Sequence, residues 1–171
     1  QLTEMAELRK KFAADAVAMQ APKVWRENTT HILSKARCST KKNSTAVSWQ
    51  DKTIANADED EMTVRCYQAS ASHTDARSIN AQNQNPDEIV MLFFHGGGFC
   101  IGDIDTHHEF CHTVCAQTGW AVVSVDYRLA PEHPSPTALR DCISAYAWLA
   151  ESCQALGASS SRIVLAGDSA G

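Results

Sequence analysis

The chain has 171 residues, with 15 Lys and Arg against 20 Asp and Glu, a net charge of −5 with neutral histidines. That length suits a single core, and 44% hydrophobic with 20% charged residues excludes collagen, a coiled coil and a wholly disordered chain. The mild acidity argues against a nucleic-acid binder, and the longest apolar run, Ile89 to Phe94, is too short to span a membrane as a helix.

Residues 1–20 predict an amphipathic helix. Leu2, Met5, Leu8, Phe12, Ala16 and Met19 recur at steps of three and four, charged residues fill the other faces, and Pro22 ends the pattern. A second short helix is expected from Trp25 to Ala36, then a polar loop over 37–46. Val47 to Ala55 and Met62 to Ala69 predict two strands joined by a turn, whose acids Asp58, Glu59, Asp60 and Glu61 read as a solvated hairpin tip. Residues 70–88 read as a surface loop. Ile89 to Phe94, Trp120 to Val125 and Ile163 to Ala166 are then apolar runs suited to strands buried on both faces of a parallel sheet. A helix is expected from about His107 to Thr118, opened by a Thr106–Glu109 capping box and closed by Gly119. Another is expected from Pro136 to Leu156, with Ser135 as N-cap and Gly157 just past its end. Strand, helix, strand, helix, strand means an α/β sheet with right-handed crossovers.

The seven cysteines, at 38, 66, 100, 111, 115, 142 and 153, are odd in number and form no CxxC. They read as reduced, packed thiols and point to a cytoplasmic protein. His107, Cys111 and Cys115 share one helix face, and His108 and His112 another. Five such groups on one helix cannot converge on one ion, so packed thiols and partly exposed imidazoles are expected there, and no metal site.

Gly167-Asp168-Ser169-Ala170-Gly171 is a G-x-S-x-G directly after a predicted strand. That is the context of a nucleophile elbow, a tight strand-to-helix turn that lifts a serine above the C-terminal end of a sheet. His95-Gly96-Gly97-Gly98-Phe99 follows the strand Ile89 to Phe94, and successive glycines let backbone N–H groups approach a developing oxyanion. The loop lacks the Lys and the spacing of a phosphate-binding loop. His95 precedes the serine, whereas an elbow enzyme's base follows it, so His95 is expected to fix the loop.

With Asp126-Tyr127-Arg128-Leu129-Ala130-Pro131-Glu132-His133-Pro134 between them, these motifs resemble the hormone-sensitive-lipase family of α/β-hydrolases, within it the GDSAG esterases, over residues 95–171. The resemblance implies an α/β-hydrolase fold: a mostly parallel sheet with helices on both faces over 46–171, preceded by a helical cap segment over 1–45. It implies Ser169 as nucleophile, N–H groups of Gly97, Gly98 and Ala170 as the oxyanion hole, and His95, Gly96 and Asp168 as structural residues beside the site. The segment Tyr127 to Pro134 would brace it. The activity implied is hydrolysis of short- to medium-chain acyl or aryl esters, without metal or organic cofactor. Members that bind a ligand without hydrolysing it, as the plant gibberellin receptors do, and amide or formamide hydrolases on the same scaffold, are the alternatives. The family's acid and base lie downstream of the serine, so the chain is expected to be the N-terminal part of a hydrolase whose remaining half, on the same or a second chain, is a partner beside the ester substrate. Self-association is left open. The first residue is Gln, so residues are also expected to have been lost upstream.

Overall fold

The computed structural model describes residues 47–69, 89–158 and 160–171. The helices expected over 1–20 and 25–36, the loop over 37–46, the cap segment 1–45 and the loop over 70–88 lie outside the described residues. The strands are β1 (Val47–Ala55), β2 (Glu61–Ala69), β3 (Val90–Phe94), β4 (Ala121–Val125) and β5 (Ile163–Gly167). The helices are α1 (His108–Thr118) and α2 (Thr137–Ser152), the second continued by a 3-10 turn over Cys153–Leu156. Among the described residues no helix is long and apolar enough to cross a membrane.

The sheet runs β1-β2-β4-β3-β5. β3 pairs in parallel with both β4 and β5, while β1–β2 and β2–β4 are antiparallel. The sheet is therefore mixed, where a mostly parallel one was expected, because a hairpin must run antiparallel and its second strand joins β4. The two crossovers leave β3 and β4 in opposite directions. Right-handedness then puts their helices on opposite faces. α1 covers Tyr67, Met91, Phe93 and Val122 with Cys111 and Cys115. α2 covers Val64, Cys66, Val90, Leu92, Val123 and Val125 with Ala145 and Leu149. The period-two alternation along β3 divides its side chains between these two cores.

β5 differs from the expectation of a strand buried on both faces. Among the described residues it pairs with β3 alone, and Leu165 is 58% exposed. An apolar run states that a strand needs cover. It does not state which element supplies it.

Both predicted helix starts are corrected. Thr106 does not cap α1. Its hydroxyl accepts the Asp103 N–H at 3.0 Å while Asp103 Oδ1 accepts the Thr106 N–H at 2.7 Å, a reciprocal box around the preceding turn. His107 becomes the N-cap, with no side-chain cap bond. Ser135 does not cap α2 either, and Pro136 stands at the N-cap where the first helical position was expected. Carbonyls of Pro134 and Pro136 take the Thr137 and Arg140 N–H groups at 3.0 and 3.1 Å, so the serine is not needed. The helix ends are as expected: Gly119 and Gly157 are left-handed, at φ 73° and 72°.

The acidic hairpin tip is tied down as well as solvated. Asn56 Oδ1 accepts the N–H groups of Asp58 and Asp60 at 2.8 and 3.1 Å. Arg128 then reaches Asp58 at 2.7 Å and grips the fully buried Asp141 through Nε and Nη2 at 2.9 and 2.8 Å. The Arg128 N–H adds a bond to Asp141 at 3.0 Å. Asp141→Ala removes the buried partner of a guanidinium and of an amide. It is expected to lower unfolding free energy by about 3 kcal/mol, read from urea denaturation. A loss of only a few tenths would mean that Arg128 is held by the hairpin tip instead.

Candidate active site

The pairing of β3 with β5 sets Phe94 opposite Gly167. The loop after β3 and the turn after β5 therefore leave the sheet side by side at its C-terminal end, beside the point where the crossovers diverge. Open α/β sheets bind ligands at such points.

In the turn, Ser169 adopts φ +53°, a left-handed conformation costly for a residue with a Cβ. The Gly171 N–H closes the turn on the Asp168 carbonyl at 2.8 Å. Both glycines are sterically required. A Cβ on Gly171 would overlap the Phe94 carbonyl oxygen, and one on Gly167 would lie 2.6 Å from the Gly171 oxygen. The serine is thus held exposed on a sharp turn pressed against the end of β3.

The glycine loop is as tightly specified. Gly97 has φ +126°, and a Cβ there would overlap the Ile101 carbonyl oxygen. Cys100 and Ile101 both donate N–H groups to the Gly97 carbonyl at 3.1 Å. A Cβ on Gly96 would meet the Asp168 carboxylate at 2.7 Å. That approach exists because the Gly96 N–H donates to Asp168 Oδ1 at 2.5 Å, which joins the loop to the residue before Ser169.

His95 is fully buried. Its Nδ1–H donates to the Gly96 carbonyl at 2.9 Å, and burial holds its pKa below the usual imidazole value. Nε2 has no partner among the described residues. A neutral ring with its lone pair at Nε2 fits both facts. Tyr127 stacks on this ring at 4.2 Å and donates its hydroxyl to the His95 carbonyl. The expected bracing by the segment after β4 is therefore partly a single side chain. Tyr127→Phe keeps the stack and loses the donor. It is expected to cost about 1–2 kcal/mol in stability, measured by urea denaturation.

Asp126, at the end of β4, is pushed up to about 6, first by burial and then by Asp103, against the pull of an Ile104 backbone bond. The folded pKa lies above the unfolded one, so this group favours folding fully below about 4, and that contribution is lost as pH rises through about 6. Asp126→Asn is expected to flatten this part of the stability–pH curve, measured as Tm between pH 4 and 7.

A cavity of about 610 Å³ opens beside the two loops. Gly98, Ala170 and Gly171 line it together with Phe94, Phe99, Tyr127, Leu139 and Cys142, a mostly apolar wall. Of the residues singled out from the motifs, Gly98 and Ala170 border the cavity, while Gly96, Asp168 and His95 form the scaffold behind it.

The helix-face cluster divides. Cys111 and Cys115 are fully buried, and burial pushes their thiols up to about 12 and 11. His108 accepts or donates at Nδ1 with the Tyr67 hydroxyl, 3.0 Å away. His107 instead turns to the elbow, with Nε2 3.4 Å from Asp168 Oδ1. Sequence reasoning missed this contact because it placed His107 on a helix face. The signal was Asp103-x-x-Thr106, whose reciprocal turn moves the helix start one residue on and leaves His107 at the mouth of the sheet.

A model of the alpha/beta hydrolase fold matches residues 91–171. Lipase 2 of Moraxella sp. (strain TA144) is 65% identical over 170 residues, which is 99% of this chain and 36% of that protein. Human hormone-sensitive lipase is 43% identical over 82 residues, 48% of this chain and 8% of that one. The crystal structure of EstE1, a thermostable carboxylesterase cloned from a metagenomic library, superposes with a TM-score of 0.72 at 31% identity, covering 88% of this chain and 46% of that chain. The chain thus spans about a third of the length of Lipase 2. Strand order, elbow, glycine loop and these likenesses agree: the chain has an α/β-hydrolase fold and is similar to members of the hormone-sensitive-lipase family.

Proposed function

We propose that this protein is a serine carboxylic-ester hydrolase that works through an acyl-enzyme on Ser169. One observation carries the reading. Ser169, held at φ +53°, stands beside a glycine loop that the Asp168–Gly96 bond ties to the same turn. Ser169 Oγ attacks the ester carbonyl as a base takes its proton. The N–H groups of Gly97, Gly98 and Ala170 receive the charge that develops on the carbonyl oxygen. The intermediate collapses, the C–O bond to the alcohol breaks, and the alcohol leaves with the proton the base had taken. Water, deprotonated by the same base, then releases the acid from Ser169.

In elbow hydrolases the base and its acid follow the serine in chain order. Every histidine of this chain precedes Ser169; of the described ones, His95 bonds Gly96, His107 faces Thr106 and Asp168, and His108 meets Tyr67. The reading therefore takes both groups from polypeptide beyond Gly171. The apolar cavity suits short- to medium-chain acyl or aryl groups. Buried reduced thiols at Cys66, Cys111, Cys115 and Cys153 support a reducing compartment.

The test is a fluorophosphonate probe with peptide mapping, alongside p-nitrophenyl esters of increasing chain length. Labelling confined to Ser169, with turnover of the shorter esters, is the expected result. Tight ester binding with neither labelling nor turnover would replace the enzyme by a ligand-binding protein.

A further inference from the structure

The ester-hydrolase reading leaves the contact between His107 and the elbow without a role. Asp168 Oδ1, which accepts the Gly96 N–H at 2.5 Å, is also the atom 3.4 Å from His107 Nε2. The imidazole is firmly seated. It stacks on His95 at 5.9 Å with 24° between planes, tilts against Phe93 at 5.7 Å, and its side chain is 23% exposed.

The protonation of this ring can be read from its other side. The Thr106 hydroxyl donates its one hydrogen to the Asp103 carbonyl at 2.7 Å. Toward His107 Nδ1, 3.0 Å away, Thr106 Oγ1 can then only accept, so Nδ1 carries a hydrogen. A neutral ring would therefore turn the Nε2 lone pair toward the carboxylate. Only the imidazolium presents N–H groups to both neighbours. The groups that face it are the Asp168 carboxylate from the elbow, His95 from the glycine loop, Phe93 from β3 and Thr106 from the turn before α1.

Resting on the ester-hydrolase reading, we propose that His107 is a positioning residue: as an imidazolium it holds the Asp168 carboxylate against the Gly96 amide and so sets the glycine-loop donors relative to Ser169. Three chain segments meet at one oxygen atom. Loss of the proton replaces an attraction by a lone-pair repulsion at that atom, and the loop loses its tether.

The experiment is backbone hydrogen exchange over residues 95–101 in the complete protein, with p-nitrophenyl ester kinetics, for His107→Ala, His107→Gln and Asp168→Asn. His107→Ala is expected to speed exchange over 95–101 and leave Val90–Phe94 unchanged. Misplacement of this order lowers kcat by up to about 100-fold, with KM near the parent value. The Gln amide can donate to Oδ1 without titrating. It is expected to restore most of both properties. Asp168→Asn keeps the acceptor and drops the charge, so adding His107→Ala to it is expected to have a clearly smaller effect than in the wild type. Unchanged exchange over 95–101 in His107→Ala overturns the proposal, as does an undiminished effect in the Asp168→Asn background. The exchange readout is independent of catalysis: a wild type that hydrolyses no ester refutes the enzyme reading, while exchange still decides the role of His107.

Discussion

Ser169→Ala in the complete protein is expected to reduce ester turnover on the order of 10⁶-fold while the fold and melting temperature stay near the parent's, since removing a nucleophilic serine alone costs about as much as removing its whole triad. The elbow offers one hydroxyl, and Ser169 carries it. Ser169 is exposed, so truncation to alanine opens no cavity in the core. Alanine also relieves none of the φ +53° strain, so any stability change should be small. The measurement is kcat on a p-nitrophenyl ester beside circular dichroism and thermal melting. Turnover near the parent rate in a folded variant would remove Ser169 from the chemistry.

Gly97→Ala is expected to lower kcat about 10²- to 10³-fold, the usual cost of losing one oxyanion donor, with a smaller change in KM. The structural reason is specific. The backbone sits at φ +126°, which L side chains rarely adopt, and the new Cβ would overlap the Ile101 carbonyl oxygen. That carbonyl belongs to the turn closed by the Cys100 and Ile101 N–H groups on Gly97, so relief must move the donor loop itself. Gly98→Ala is the internal comparison. Its Cβ would meet nothing within 4 Å, and only φ +61° opposes it, so a milder loss is expected. Equal effects at the two positions would mean that backbone strain, not displacement of the loop, governs the site. A change confined to KM would mean that the loop holds substrate without stabilising the transition state.

The motifs made the site legible in this chain because each is a local steric solution. Gly167 and Gly171 permit the elbow, Gly96 and Gly97 permit close backbone approach, and an apolar run in front of each loop announces a strand. The capping residues were less legible. Thr106 and Ser135 have the right chemistry at the right offsets, yet Asp103 claims the first and backbone carbonyls replace the second. Cap preferences are worth about 1 kcal/mol, so a neighbouring turn readily overrides them.

The sequence by itself determined the order and type of the elements from Val47 onward, the turn at Ser169 and the glycine loop, because steric limits on φ and the period of apolar residues act between near neighbours. Only the tertiary structure decided which loops meet. Parallel pairing of β3 with β5, across an intervening helix, strand and helix, brings Asp168 to the Gly96 amide and His107 to Asp168. It also decided that Tyr127 stacks on His95 and that Arg128 joins Asp141 to the hairpin tip. These contacts join residues far apart along the chain, and nothing in the local pattern of either partner encodes the distance between them.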